Sequence, residues 1–291
     1  LILANPNWEP SDAIFRNNYT SVYQIYTPGS EYFKPTLEIL DTLDPGSRRL
    51  AILIQDEPFT RSTITAITPS LQLLGYQIVY QQAYPTGTTD FSPWVTEMKA
   101  AIPNIILAGG NKSDGIMIAT AIDDLGVDTR MICLLTSPAE ADFQQVGDAA
   151  FGIIGPSQWE ANVYMDDETN VDEPYTWIGP TSAEFIIDYR DEYGTEPTYI
   201  AAGGYAAGLV LQYGIENSGI ARTSYMIPII DHANLSTLFG YIKFDNQGRD
   251  HGAQIGHELL YVQRQYDADG MLIKRPIWPL ELVSSPVVYP L

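Results

Sequence analysis

Between residues 50 and 155 one kind of unit recurs, and it constrains the fold more than any other feature of the chain. Apolar strand candidates stand at "LAILIQ" (50–55), "YQIVYQ" (76–81), "NIILAG" (104–109), "MICLL" (131–135) and "FGIIG" (151–155). The segments between the first four carry a helical period. Ile64, Ile67, Leu71 and Leu74 form one stripe ended by Gly75, with Pro69 inside it expected to kink or shorten the helix. Phe91, Trp94, Val95 and Met98 form a second, with Asp90 or Ser92 as N-cap and Pro93 in the first turn. Ile116, Ala119, Ile122 and Leu125 form a third, closed by Gly126. Strands that are apolar throughout and separated by helices predict a parallel sheet covered on both faces.

That pattern describes a Rossmann-like lobe, and it does not extend to the whole chain. After Trp159 an acidic loop, "YMDDETNVDEPYTWIGP", leads to two predicted helices at about 181–193 and 200–217. "YIKFDNQGRD" and "ELLYVQRQYDADG" each read as a strand followed by a turn. Residues 271–291 hold Pro276, Pro279, Pro286 and Pro290 and are expected to be an extended tail. With 291 residues and 45% hydrophobic residues, the chain has material for two lobes with real cores.

Charge narrows the function classes. Lys and Arg number only 15 and the net charge is −21, so the clustered cations that displace counterions from nucleic acid are missing. Cys133, the single cysteine, sits in an apolar run and reads as a buried small residue. With three scattered histidines it makes no ordinary zinc site. No apolar stretch approaches the roughly 18 residues of a membrane span. The opening "LILANP" is already strand-like, as expected if a leader had been removed together with more of the protein.

The run "AGGNKSDG" (108–115) looks at first like a phosphate loop. That loop needs Gly-Lys-Ser/Thr with another Gly five positions earlier, so that amides wrap a phosphate. Asn111 stands where the last Gly belongs, and Ile106 lies five back. A tight strand-to-helix turn with Ser113 or Asp114 as N-cap, or a ligand loop beyond a strand's carboxyl end, remains. "DDETNVDE" (166–173) lacks the alternation of a calcium loop, and "DADG" (267–270) reads as a hairpin turn. His251 and His257 share no helical face and read as surface residues. Asn18, Asn111 and Asn234 begin Asn-x-Ser/Thr triplets. No Ser/His/Asp or Cys/His set stands on a recognisable elbow, so a non-enzymatic role is expected.

Several stretches together resemble the type I periplasmic solute-binding proteins of the branched-chain amino-acid and amide ABC transporters. "YPTGTTDFSPWVTEMKAAIPNIILAGG" (84–110), "VGDAAFGII" (146–154) and "YRDEYGTEPTYIAAGGYAAGLVLQYGIENSG" (189–219) carry the likeness. "YIKFDNQGRD" and "LLYVQRQYDADG" complete it, in the family's order and over most of the chain. The resemblance implies two Rossmann-like lobes with parallel sheets, joined by three crossovers and closing like a hinge. Residues 1–26 and 158–256 would form the first lobe, and 27–157 with 257–270 the second. "LILANP" looks like the family's fourth strand, so the first lobe is expected to be incomplete at its start.

The likeness carries over to individual positions. It implies ligand contact at Asn5 and Asn7 after the fourth strand, at Phe59 after the first strand of lobe two, and at Gly110 and Asn111. Where amino-acid binders place an acid to hold the ligand ammonium, the count falls near Leu135, with Thr136 and Ser137 adjacent. Without that acid a buried ammonium lacks its partner, which favours a neutral or anionic small solute. The implied role is extracytoplasmic, periplasmic or at the cell surface, with a lipid anchor possible upstream. The implied partners are a small-molecule solute and an ABC permease, with no cofactor, metal or nucleic acid. A ligand sensor or surface-assembly protein of the same fold is the alternative.

Overall fold

The computed structural model describes residues 3–5, 19–163, 175–283 and 285–291, the first three as backbone only. Asn7 and the acidic stretch 166–173 lie outside the described residues. In chain order the elements are β1 (Leu3–Asn5), β2 (Val22–Gln24), α1 (Lys34–Leu43), β3 (Arg49–Gln55), α2 (Pro58–Leu73) and β4 (Gln77–Tyr84). Then follow α3 (Ser92–Ala100), β5 (Ile105–Gly109), α4 (Lys112–Asp124), β6 (Met131–Leu134), β7 (Ile154–Ser157) and β8 (Thr176–Trp177). The chain ends with α5 (Ser182–Tyr193), α6 (Tyr199–Ser218), α7 (Thr223–Asp231), β9 (Asn234–Thr237), β10 (Gly240–Lys243), β11 (Leu260–Tyr266) and β12 (Leu272–Trp278).

The chain divides into two compact units, Leu1–Gly29 with Gln158–Leu259 and Ser30–Ser157 with Leu260–Leu291. We call them the first and second lobes. The chain therefore passes between them three times.

In the second lobe the strand order is β12-β11-β7-β6-β5-β3-β4. The strands from β3 to β7 pair in parallel, as the unbroken apolar runs of β3, β5 and β6 require. Leu50 to Leu53 and Ile105 to Ala108 are buried on both faces. The parallel expectation fails at one edge. β11 runs antiparallel to β7, and β12 antiparallel to β11. A four-residue turn at Asp267–Gly270 joins them, closed by the Asp267 carboxylate accepting from the Asp269 and Met271 amides, and so short a link permits only a hairpin. Part of the segment expected to be a tail is thus an edge strand. Pro276 is tolerated there because an edge strand has an unpaired side.

Pro69 does not end α2, which runs one more turn to Leu73. Its missing N–H costs α2 one ladder bond, which the helix absorbs without ending. In α3 neither Asp90 nor Ser92 is the N-cap residue, which is Phe91. The Asp90 carboxylate instead accepts from the Ser92 amide at 2.9 Å.

The first lobe holds two small sheets among its described residues. β1 and β2 pair in parallel with Asn5 opposite Gln24, and β8-β9-β10 form the other. Its core gathers Tyr23, Ile25, Phe185, Ala206, Val210, Ile230 and Leu235. α5 begins in a reciprocal capping box between Thr181 and Glu184 and ends at Gly194 in the left-handed conformation. α6 packs closely because it is lined with small residues. A Cβ at Gly203 would stand 2.5 Å from the ring of Tyr26. Near the lobe's borders Thr27 and Gln158 exchange two hydrogen bonds, of 3.0 and 3.1 Å, and the Thr27 hydroxyl donates to the His257 carbonyl.

His251 and His257 are not free surface residues. His251 Nε2 lies 2.8 Å from the Asp231 carboxylate. His257 donates Nδ1–H to the Tyr241 carbonyl at 2.7 Å, and burial holds its pKa below the ordinary histidine value.

Candidate solute site

Open α/β sheets take ligands beyond the carboxyl ends of their strands. In the second lobe that rim is built from the turns after β3, β5 and β6. β5 ends at Gly109 with φ +120°, a conformation other residues adopt at a cost. A Cβ on Gly110 would lie 2.5 Å from Gln55 Cβ and 2.7 Å from an Asp114 carboxylate oxygen. The bare backbone at Gly110 is therefore required by the lobe's own packing, since Gln55 and Asp114 close over it.

Asn111 is the N-cap of α4. Its Oδ1 accepts from the Ser113 and Asp114 amides at 3.0 and 3.1 Å and from the Ser113 hydroxyl at 2.5 Å. The cap expected at Ser113 or Asp114 thus falls earlier, because the helix starts directly after the Gly-Gly turn and Asn is a strong cap. Asp114, only 3% exposed, accepts from Tyr84 Oη at 2.9 Å. Burial raises its pKa above the usual carboxylate value, against the opposing hydrogen bonds of Tyr84, Asn111 and Ser113. Burial likewise raises the Tyr84 phenol. Lys112 pairs with Asp142 at 2.8 Å on the surface, and that carboxylate raises its pKa. Its ammonium is already engaged rather than turned to the loop.

The turn after β6 meets the same place. Thr136 has φ +52° and ψ −48°, and its hydroxyl donates to the Gly110 carbonyl at 3.3 Å. That backbone is strained for a β-branched residue. The buried Ser137 hydroxyl donates to the Lys112 carbonyl at 2.9 Å, and Gly115 leaves it room. Gly110, Asn111, Thr136 and Ser137 are thus brought together on one rim.

Phe59 and Asn5 are placed differently. Phe59, 1% exposed, packs edge-on against Tyr32 with ring centroids 5.1 Å apart. Its ring can stack on a solute only after these neighbours shift. Asn5 ends β1 in the first lobe. Asn7 lies outside the described residues. The reading of the sequence missed Gln55, Tyr84 and Asp114. Two signals were available: a glutamine closing an otherwise apolar strand, and a carboxylate three residues beyond an Asn cap.

Cys133 is wholly buried, its thiol pushed up to about 12 by burial, and it lies 3.2 Å from the Thr36 hydroxyl. Thr36 also donates to Tyr261, which donates to the Tyr32 carbonyl. This is a core network, without solvent access. Among the described residues no three His, Cys, Asp or Glu side chains converge on a metal position. No described helix is long and apolar enough to cross a membrane.

Known proteins share this architecture. The chain is 22% identical over 218 residues to the Leu/Ile/Val-binding protein homolog 7 of Brucella abortus (strain 2308), covering 73% of this chain and 52% of that protein. It therefore spans about half the length of the curated relatives it matches. The leucine-, isoleucine-, valine-, threonine- and alanine-binding protein of Brucella ovis, in closed conformation, superimposes with a TM-score of 0.75 at 14% identity, over 99% of this chain and 72% of that one. A solute-binding protein of an ABC transporter from R. palustris, in complex with benzoate, gives 0.70 at 12% identity, over 96% and 72%. The family model described as "Periplasmic binding protein" matches residues 8–264, and the chain belongs to that family.

Proposed function

We propose that this protein is an extracytoplasmic solute-binding protein that captures a small polar organic solute and delivers it to an ABC importer through contact with its permease. It does no catalysis. One observation carries the reading beyond family membership. The turns after β3, β5 and β6 converge on the carboxyl-end rim of the second lobe, where exposed Asn111 and half-buried Thr136 stand over the buried Gly110 and Ser137. Each hydroxyl there donates to a carbonyl and so keeps its oxygen lone pairs, which suits recognition better than proton transfer.

The solute is neutral or anionic. Leu135, Thr136 and Ser137 offer no carboxylate where an ammonium would need one. Phe59 supplies an aromatic wall in the second lobe once it is uncovered. Binding favours the lobe arrangement that the importer recognises, by the difference in solute affinity between arrangements.

The test is thermal melting of the full-length protein against carboxamides, benzoate and L-leucine. A captured solute at about a hundred times its Kd adds roughly 2.7 kcal/mol and raises the midpoint. No shift with any member of the panel would remove solute capture as the function.

A further inference from the structure

Gln24 closes β2, and its side chain is 2% exposed. Its backbone N–H donates to the Gly252 carbonyl at 2.9 Å. Neither side-chain atom, Oε1 or Nε2, has a hydrogen-bond partner. A buried primary amide left unmade at both ends is rare, because each group keeps its full desolvation cost. An unsatisfied amide is a place where a partner is expected.

Its position says which kind. Gln24 stands at the last rung of the parallel β1–β2 pair, opposite Asn5, at the carboxyl ends of both strands. Strand alternation puts it on the face away from Tyr23. Tyr23 donates to Asp231 at 2.6 Å, and that carboxylate also holds His251. Asp231 is therefore engaged on the Tyr23 face of the strand.

We propose that Gln24 is a solute-binding residue of the first lobe, its amide pairing with a neutral group that presents a donor beside an acceptor, such as a carboxamide or ureido group. The inference rests on the solute-capture reading above. Hydrogen-bond inventory selects the chemistry. A carboxylate would face Oε1 with another acceptor, and an ammonium would face Nε2 with another donor. Only a mixed group satisfies both atoms. An amino-acid zwitterion would do so only by bringing two charges to a site where Gln24 offers none.

The experiment is titration calorimetry of the full-length protein with isobutyramide, L-leucine and benzoate, on wild type and Gln24→Met. The substitution keeps the side chain's length and removes both polar atoms. Wild type is expected to bind isobutyramide, and Gln24→Met to bind it roughly 10- to 100-fold more weakly. The thermal midpoint of the solute-free variant is expected to rise, because an unmade amide has been removed. Unchanged isobutyramide affinity in Gln24→Met overturns the proposal. So does a fall in the solute-free midpoint, which reveals a structural partner for the amide. Wild type that binds L-leucine or benzoate but not isobutyramide overturns this inference and leaves solute capture standing. Binding of none of the three overturns both. If Gln24→Met does not fold, Gln24→Glu serves: it lacks the donor, so isobutyramide affinity should fall, and unchanged affinity overturns the proposal.

Discussion

At the rim of the second lobe, Asn111, Asp114, Thr136 and Ser137 each bond to a neighbouring turn or helix end. The first lobe instead keeps the Gln24 amide, His251 Nδ1 and His257 Nε2 buried without partners. The two lobes belong to one fold class but differ in how complete their polar networks are. The second is pre-organised, so its rim resists change. The first buries several polar groups without partners, whereas the second has one, Trp278 Nε1, away from the rim on its edge strand.

The sharpest break of that comparison is a methyl group on each side. Gly110→Ala places Cβ 2.5 Å from Gln55 Cβ and 2.7 Å from Asp114. It should destabilise the protein by about 3 kcal/mol, because the nearest atom, Gln55 Cβ, is fixed to its strand and Asp114 is held by Tyr84. Gly204→Ala, in α6 of the first lobe, meets nothing within 4 Å. It should add about 0.5–1 kcal/mol through helix propensity. Urea unfolding followed on both variants checks this. Similar losses in the two would mean the rim is no tighter than an open helix face.

Acid should separate the lobes more gently, and in opposite directions. His257 is held below the ordinary histidine value by burial, although its bond to the Tyr241 carbonyl pulls the other way. The unfolded chain then takes up a proton before the folded one does. Stability from this group is fully present above about 6.5, the ordinary value, and is lost as pH falls through it. Asp114 is the reverse. Burial raises its folded pKa, so the native state binds the proton first. Its penalty is present above the raised value and is relieved as pH falls towards the ordinary carboxylate value. Hydrogen exchange at pH 7 and pH 5.5 should therefore show first-lobe amides around β10 opening more readily in acid, while those of α4 do not. His257→Phe should flatten the first-lobe response, and a response that persists would assign it to another group.

The same contrast explains what could be read from the amino-acid sequence. β3, β5 and β6 were legible because strands buried on both faces must be apolar throughout, as Leu50 to Leu53 and Ile105 to Ala108 are. α5 and α6 were legible from their apolar spacing, with ends marked by Gly194 and Gly219. β12 was not, because Pro276 and Pro279 argue locally against a strand and only pairing with β11 makes one. Gly110 and Asn111 were located by resemblance, but the reason for the glycine was hidden. It depends on Gln55, 55 positions away in the sequence, which no local pattern connects to it. The burial of His257 is equally non-local, since its partners are the Tyr241 carbonyl and the edge of Phe239.

Thr136 provides the smallest test and separates strain from recognition. A β-branched residue at φ +52°, ψ −48° is held there by its surroundings. Such a conformation stores about 1–3 kcal/mol, and glycine, lacking a Cβ, bears less of it at a cost of its own in unfolded-chain entropy. Thr136→Gly should therefore raise stability by about 1 kcal/mol, seen as a higher urea midpoint with an unchanged slope. Thr136→Ala keeps most of the strain but loses the hydroxyl that donates to the Gly110 carbonyl. If that hydroxyl touches solute, both variants bind less tightly, although only the glycine variant is more stable. If both retain full affinity, Thr136 serves only to turn the chain between β6 and Ser137, and solute recognition on this rim passes to the backbone of Gly110 and the amide of Asn111.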